Sequence, residues 1–127
     1  MRRYKVEVKE GRFRSEGHIE EIGQDLLVSI QGGTKPHIGA VGMATPRPSL
    51  RDSGRWSATS SNFTFIGHKE DLLVKRISEK LAAQLKKNVV VIAGLHWKDV
   101  TSRELETIES LIEKLVLRIL KKVKEKD

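Results

Sequence analysis

The sequence predicts an α+β fold, in which a mostly antiparallel sheet of about six strands carries two long helices on one face. Three observations predict it. Apolar and polar residues alternate through the first half of the chain, which is typical of strands with one buried face. After Gly67 the period changes to about 3.6, that of an amphipathic helix. A short apolar run at 88–93 separates two such helices, so the expected order is β-β-β-β-β-α-β-α.

The first three strands follow from alternation and from turn residues. Residues 4–8 alternate apolar and charged side chains, which predicts a first strand with one buried face. A second strand is expected from Phe13 to Ile22, with Gly17 as a bulge or bend, and a third from Leu26 to Ile30. Because the connections are short, these three strands should form an antiparallel meander.

The fourth and fifth strands differ in character. Ile38 to Thr45 is built from small residues, and a strand that holds Gly39 and Gly42 usually has something packed closely on it. That neighbour is either a helix or a flat ligand, and the sequence gives the two about equal weight. Thr45 to Arg55 shows no period and is predicted to be a loop of roughly ten residues. Trp56 to Ile66 carries many hydroxyls and should be a strand with one wet face.

Two amphipathic helices flank the sixth strand. The first should run for about five turns after Gly67. The run at 88–93 is continuously apolar, which places it inside the sheet. Thr101–Glu104 is a capping box that opens the second helix. Its apolar face is wider than one seam, so we expect it to be covered by the sheet and the first helix or by a second subunit. The second alternative predicts a homodimer. The first helix's apolar stripe is Leu73, Val74, Ile77, Leu81 and Leu85.

Length and composition narrow the class of protein. The 127 residues suffice for one core, so we expect a single domain over 1–127. The longest apolar run, Val89 to Leu95, is too short to cross a bilayer, and no signal peptide or membrane anchor is expected. Zero cysteines exclude thiolate sites and predict a cytoplasmic protein. Two Asn and three Gln beside many Lys and Glu are typical of proteins from hot environments.

The middle third of the chain is strongly basic. Between Asp25 and Glu70 five basic side chains face one acidic side chain, Asp52, so this part holds +4 of the formal net charge of +7. An anionic partner is expected there, held through phosphate either as nucleic acid or as a cofactor. The five basic residues are Lys35, Arg47, Arg51, Arg55 and Lys69.

Catalytic and metal motifs are absent from the sequence. No phosphate loop, GxGxxG, HExxH or GxSxG pattern occurs. The four histidines are widely separated, so no metal site is expected. Because Asp52 is the sole carboxylate of the middle third, no acid–base pair is expected there. We therefore expect a binding protein and not an enzyme.

An anion site is predicted in the stretch Gly32 to Ser49, which holds all three prolines and four of the ten glycines. Turn amides and guanidinium groups suit a phosphate monoester, and the smooth Gly/Ala strand suits a flat ring. Phosphate plus flat ring suggests flavin mononucleotide or a relative. The alternative, that Arg47 and Arg51 only decorate an exposed loop, stays open. The candidate cofactor-binding residues are Gly32, Gly33, Thr34, Lys35, His37, Gly39, Gly42, Arg47, Ser49 and Arg51.

The same residues carry a family resemblance. GGTKPHIGAVGMATPRPSL (32–50), SATSS (57–61), IGHKEDLLVKRISEKLA (66–82) and VVVIAGLHW (89–97) resemble the prenylated-flavin chaperone family, the small D component that accompanies gallate decarboxylase. The resemblance covers nearly the whole chain. It implies a homodimer with a fold like that of proteasome assembly chaperones three and four. It also implies that the protein binds reduced prenylated flavin mononucleotide and hands it to an apo-decarboxylase.

Two other functions remain open from the sequence. The implied fold is also compatible with a proteasome assembly factor or activator, although the chain ends in GluLysAsp and lacks the hydrophobic-tyrosine-any terminus with which activators dock. The basic charge is compatible with a nucleic-acid-binding domain. Single-strand binders stack bases on several exposed aromatic side chains, and aromatic residues make up only 5% of this chain. Nucleic acid is therefore not the expected partner.

Overall fold

The computed structural model describes residues 2–65 and 70–126. The predicted change of period at Gly67 and the predicted end of the fifth strand at Ile66 lie outside these residues. Within them the chain forms β1 (Arg3–Glu10), β2 (Phe13–Ile22), β3 (Asp25–Gly33), β4 (Ala40–Pro48), β5 (Trp56–Thr64), α1 (Asp71–Leu85), β6 (Val89–His96) and α2 (Ser102–Lys126). The predicted element order and the α+β class are confirmed.

The strands form one mixed sheet in the order β1-β2-β3-β6-β4-β5. The predicted meander is confirmed, because β1, β2 and β3 pair antiparallel with short connections. β6 inserts between β3, to which it runs parallel, and β4, to which it runs antiparallel. The apolar run at 88–93 therefore lies inside the sheet, as its composition predicts.

Both helices pack on the same face of the sheet. Residues paired across neighbouring strands lie on one face, and the pairing register joins Gly17, Ile30, Ala93 and Ala40 across four strands. A Cβ atom at Gly17 would lie 3.1 Å from Ile119 of α2. One at Gly42, two residues after Ala40, would lie 2.7 Å from the Val74 carbonyl oxygen of α1. The face opposite these helices is called the open face below.

The core lies between the sheet and the two helices. Each large aliphatic side chain buried there stabilises the fold by about 1.5–3 kcal/mol. The wide apolar face of α2 is covered within the chain by β1, β2 and α1, while Leu105 and Leu117 at its margins stay exposed. Of the two predicted covers for this helix, the structure shows the first, so α2 supplies no argument for a dimer. The largest fully buried side chains include Ile19, Leu26, Ile30, Ile77, Leu81, Leu111, Leu115 and Ile119.

Several predicted boundaries are wrong. Gly17 is neither bulged nor bent, since it pairs in continuous register with Val6 and Ile30 and instead makes room for α2. α1 has 15 residues, about four turns where five were expected, and ends at Lys86 in the left-handed conformation.

None of the described helices is long and apolar enough to span a membrane.

The predicted loop from Thr45 to Arg55 is also wrong in its first part, because β4 continues to Pro48 and pairs with β5 as far as Trp56. Prolines are tolerated there because β4 pairs with β6 only from Ala40 to Ala44. Beyond Ala44 no amide hydrogen is needed on that side of the strand. The connection between β4 and β5 is thus limited to residues 49–55.

Candidate functional site

The predicted site residues fall into two groups at opposite ends of the sheet. The corner, residues 32–39, lies where β3 and β6 end, since Gly33 pairs with His96. The hairpin end, residues 46–56, lies at the other end of β4. Seven residues separate Ala40 from Arg47, which corresponds to about 23 Å of strand. The structure therefore does not bring Lys35 and Arg47 together around one phosphate.

The corner is built by close packing of backbone on backbone. Gly33 has a φ of 90°, and a Cβ atom there would lie 1.6 Å from the His96 carbonyl oxygen. The amide of Thr34 donates to that same oxygen at 2.9 Å. A Cβ atom at Gly39 would lie 2.3 Å from the Glu70 carboxylate. These glycines are required by the fold itself, whatever the corner binds.

Gly42 decides between the two neighbours that the sequence left open for β4. Its α-hydrogen side faces the backbone of α1 at Val74, so the closely packed neighbour is a helix. A flat ring cannot lie on that side of the strand because α1 fills it. Val41 and Met43 point to the open face, where β4 is uncovered among the described residues.

A pair formed by the half-buried His37 and the buried Glu70 joins the corner to the rest of the chain. His37 Nε2 lies 3.0 Å from Glu70 Oε1, and Nδ1 lies 2.8 Å from the Lys35 carbonyl oxygen. Because a carbonyl only accepts, Nδ1 carries a hydrogen there. The same Glu70 oxygen accepts from the Leu95 amide at 3.2 Å. The corner is thereby joined to the start of α1 and to β6.

Sequence reasoning missed this pair. It considered only carboxylates before Glu70, and the two residues are separated by 33 positions along the chain. The prediction that the middle third holds no acid–base pair rested on Asp52 as its sole carboxylate, and Glu70, just beyond that stretch, is the carboxylate that meets His37. The one available signal was the position of Glu70 directly before the first helix.

The corner also borders a cavity of about 310 Å³. Its wall includes Arg12, Arg14 and Trp97 beside Gly32, Gly33 and Thr34 of the corner. Arg12 and Arg14 are exposed, and none of these three wall residues was among the sequence candidates. Arginine side chains are common on solvated surfaces, so only their position beside the glycine turn distinguishes Arg12 and Arg14.

Ion pairs hold the two arginines in place. Arg12 donates from Nε to Glu104 at 3.1 Å and from Nη2 to the Lys98 carbonyl oxygen at 2.9 Å. The bond to Glu104 raises the pKa of Arg12 and lowers the pKa of Glu104. Arg14 donates to Glu7 at 2.9 Å. The pKa of Glu7 is lowered mainly by its hydrogen bond from Lys5 and secondly by the one from Arg14.

At the hairpin end the polar groups are largely occupied by local contacts. Arg47 donates to Thr59 Oγ1 at 2.9 Å and to the Pro48 carbonyl oxygen at 3.2 Å. Ser49 Oγ accepts from the amides of Arg51 and Asp52 at 3.2 Å each. The Ser49 hydroxyl is therefore a turn-closing group first, and Arg51 remains on an exposed loop.

A wider groove of about 830 Å³ runs along α1. Two of its three basic residues are paired, since Lys75 bonds to Glu79 at 2.7 Å and Arg76 to Glu109 at 3.1 Å. The pKa of Glu79 is lowered mainly by the hydrogen bond from Lys75 and secondly by the one from Ser60. The groove's lining has three acidic side chains for three basic ones, whereas the lining of the corner cavity has one acidic side chain for two arginines. The groove is therefore less suited to an anion than the corner.

The open face carries an apolar patch. The pairing register places Leu27 beside Val90, Val90 beside Met43, and Val41 between Ile92 and Phe63. Met43 is 52% exposed and Phe63 is 65% exposed. We call these residues the open-face patch: Leu27, Val41, Met43, Phe63, Val90 and Ile92.

Comparison with known proteins identifies the family. Residues 9–124 match the model of the prenylated flavin chaperone LpdD-like domain. The chain belongs to this family. Protein LpdD of Lactiplantibacillus plantarum is 23% identical over 108 residues, which cover 85% of this chain and 76% of that protein.

Membership of the LpdD-like family fixes the class of function. The family is described as one of flavin chaperones, so this chain is a chaperone-type binding protein and not an enzyme. Within the part of the chain that the structure describes, no group of three or more histidine or acidic side chains could hold a metal ion. The match begins in the last two residues of β1, covers β2 to β6 and α1, and includes all but the last two residues of α2.

Proposed function

We propose that the protein is a non-catalytic carrier of reduced prenylated flavin mononucleotide, which it delivers to an apo-decarboxylase in the cytoplasm. The observation that carries this proposal is the family match over residues 9–124. The basic middle third supports it, because the cargo's phosphate needs cationic and amide donors. The unprenylated flavin mononucleotide is the second cargo that the same chemistry would accept.

The corner is the proposed binding region for the cargo. Gly32, Gly33, Thr34, Lys35 and His37 lie there together, and Gly39 closes its end. Arg47, Ser49 and Arg51 lie at the other end of the sheet, so they would contact the same cargo molecule only if a partner subunit supplied them. Gly42 acts by seating α1 and makes no contact with cargo.

We also propose that the protein is a homodimer that buries the open-face patch. An apolar sheet face is stable when another layer covers it, and both helices of this chain lie on the other face. The six patch residues are contiguous across four neighbouring strands, as a sheet-on-sheet contact requires. A second copy of the chain presents the same apolar patch, so the two patches can cover each other across a two-fold axis.

The carrier proposal is tested by anaerobic titration of reduced prenylated flavin mononucleotide into the protein, followed by addition of an apo-decarboxylase. Saturable binding, and decarboxylase activity that appears faster than with free cofactor, are expected. Albumin at equal concentration controls for nonspecific protection of the cofactor. Absence of binding, or turnover of the flavin by the isolated protein, would contradict the proposal.

Light scattering tests the dimer. Wild type should have the mass of two chains at micromolar concentration in moderate salt, and Met43→Glu should give one chain, because burying an unpaired carboxylate in an apolar contact is costly. Leu117→Glu is the matched control, since Leu117 is similarly exposed, at 58%, but lies on the helix side. A monomeric wild type would refute the dimer without bearing on flavin binding.

A further inference from the structure

We propose that the cavity at the corner is the phosphate subsite of the cargo, formed by Arg12, Arg14 and the turn at 32–34. This inference rests on the proposed carrier function, because the phosphate that it assigns is that of the flavin mononucleotide. Its ligand class is a phosphate monoester. It keeps the phosphate at the glycine turn, where the sequence predicts it, but assigns its guanidinium groups to Arg12 and Arg14 in place of Arg47 and Arg51, which lie at the opposite end of the sheet.

Arg12 is oriented for this task before any ligand arrives. Its Nε and Nη2 atoms are bound to Glu104 and to the Lys98 carbonyl oxygen, while Nη1 donates to no residue that the structure describes. Glu104 is itself fixed, because its Oε1 accepts from the Thr101 amide at 3.1 Å in the capping box of α2. A guanidinium group fixed through Nε and Nη2 keeps its Nη1 hydrogens available for phosphate oxygens at little entropic cost.

Arg14 offers a second guanidinium group. Arg12 lies in the turn before β2 and Arg14 lies in β2 itself, and both border the cavity. Only Nη2 of Arg14 is bound, to Glu7, among the residues described. The cavity wall includes one acidic side chain, Glu16, which lies 3.7 Å from both Lys5 and His18. The wall therefore keeps a positive balance.

Trp97 gives the cavity a rigid apolar wall. Its ring meets Phe13 edge-on at 5.4 Å between centroids and 88° between planes. A Cβ atom at Gly32 would lie 3.0 Å from the indole ring, so a larger residue at that position would push the ring. A volume of about 310 Å³ is at the lower end of ligand pockets, which suits the phosphate-bearing end of the cargo.

A simpler reading is that the arginines only form surface ion pairs, which stabilise proteins by about 0–1 kcal/mol. The two readings differ in what they predict for ligands with and without phosphate. Reduced flavin mononucleotide and reduced riboflavin are therefore titrated anaerobically against wild type, Arg14→Gln, Arg47→Gln and Arg3→Gln. Arg3→Gln is the matched control, because Arg3 is also an exposed β-strand arginine paired with a glutamate, about 20 Å away along β1.

Wild type should bind the mononucleotide more tightly than riboflavin. Arg14→Gln should weaken binding of the mononucleotide about ten- to a hundredfold and leave riboflavin unchanged, because only the phosphate contact is lost. Arg3→Gln should bind both like wild type. If Arg14→Gln keeps the preference and Arg47→Gln loses it, the phosphate lies at the hairpin end and the inference is wrong.

A second measurement separates failure of the subsite from failure of the carrier function. Inorganic phosphate is titrated into ¹⁵N-labelled wild type and Arg14→Gln, and amide shifts are followed by NMR. Saturable shifts at Gly32, Gly33 and Thr34 that disappear in Arg14→Gln support the subsite even if no flavin binds. Absence of such shifts in wild type would overturn the subsite, whereas flavin binding alone decides the carrier function.

Discussion

The corner lies within the glycine- and proline-rich stretch Gly32 to Ser49, and the hairpin end begins in that stretch and continues to Trp56, yet the two are built in different ways. At the corner, a Cβ atom at Gly33 would lie 1.6 Å from the His96 carbonyl oxygen, and one at Gly39 would lie 2.3 Å from the Glu70 carboxylate. At the hairpin end, Gly54 has a φ of 85° and no atom within 4 Å of a Cβ position. The two corner glycines permit close packing, whereas Gly54 permits only a turn.

This difference teaches that a glycine cluster in a sequence mixes two physical requirements. A turn glycine relieves backbone strain, whereas a packing glycine makes room for a neighbouring segment. The second requirement depends on residues distant in sequence, here His96 and Glu70. Substitutions that add the same atoms at the two ends should therefore have very different costs.

The largest effect is expected for Gly33→Ala. Its new methyl group would overlap the His96 carbonyl oxygen, and its φ of 90° is strained for alanine. We expect a loss of about 3 kcal/mol or more in the free energy of unfolding. Gly54→Ala, with similar φ but open space, should cost about 1 kcal/mol. Chemical denaturation measures both, and equal losses would contradict the distinction between the two ends.

Gly42→Val should come next, at about 2–3 kcal/mol, because the side chain would push the backbone of α1 at Val74. Asn62→Val is the matched control, since Asn62 pairs with Gly42 across β4 and β5 but is exposed. Denaturation midpoints with unchanged m-values would report the cost. If Gly42→Val is as stable as wild type, α1 is not seated by this glycine.

Much of the fold could be predicted from periodicity, because strand and helix patterns are local. The capping box at Thr101–Glu104 is confirmed by reciprocal bonds of 3.1 Å. The insertion of β6 between β3 and β4 was predictable only as an interior position, since pairing partners are set by tertiary contacts. The arginines beside the corner were missed because their position depends on the β1–β2 hairpin, far from the glycine stretch.

The His37–Glu70 pair offers a comparison of polar contacts at the two ends. Glu70→Ala should cost about 2 kcal/mol, because it leaves the His37 ring and the Leu95 amide without their buried acceptor. Ser49→Ala at the hairpin end removes two bonds of 3.2 Å on an exposed turn and should cost about 0.5 kcal/mol. Thermal unfolding checks the difference. A double mutant with His37→Ala that simply adds both single losses would show that the pair is not coupled.

The smallest effect is expected on the stability of the protein at acid pH. It should differ between Glu104, which binds Arg12 beside the corner, and Asp52 at the hairpin end. The bond from Arg12, followed by that from the Thr101 amide, lowers the pKa of Glu104 below 4.5 in the folded state. The unfolded chain therefore takes up this proton at higher pH than the folded chain. The resulting stabilisation is present above pH 4.5 and is lost as the pH falls through the folded pKa. Glu104→Gln should accordingly flatten the fall of the unfolding free energy below pH 4.5, with salt reducing the effect because the site is exposed.

Asp52→Asn is the control at the hairpin end. It removes only an exposed ion pair of 3.6 Å with Arg55 and should leave the fall of the unfolding free energy at acid pH unchanged. Denaturant titrations between pH 3 and pH 6 measure both variants, and an unchanged acid limb in Glu104→Gln would show that the Arg12–Glu104 contact does not persist in solution.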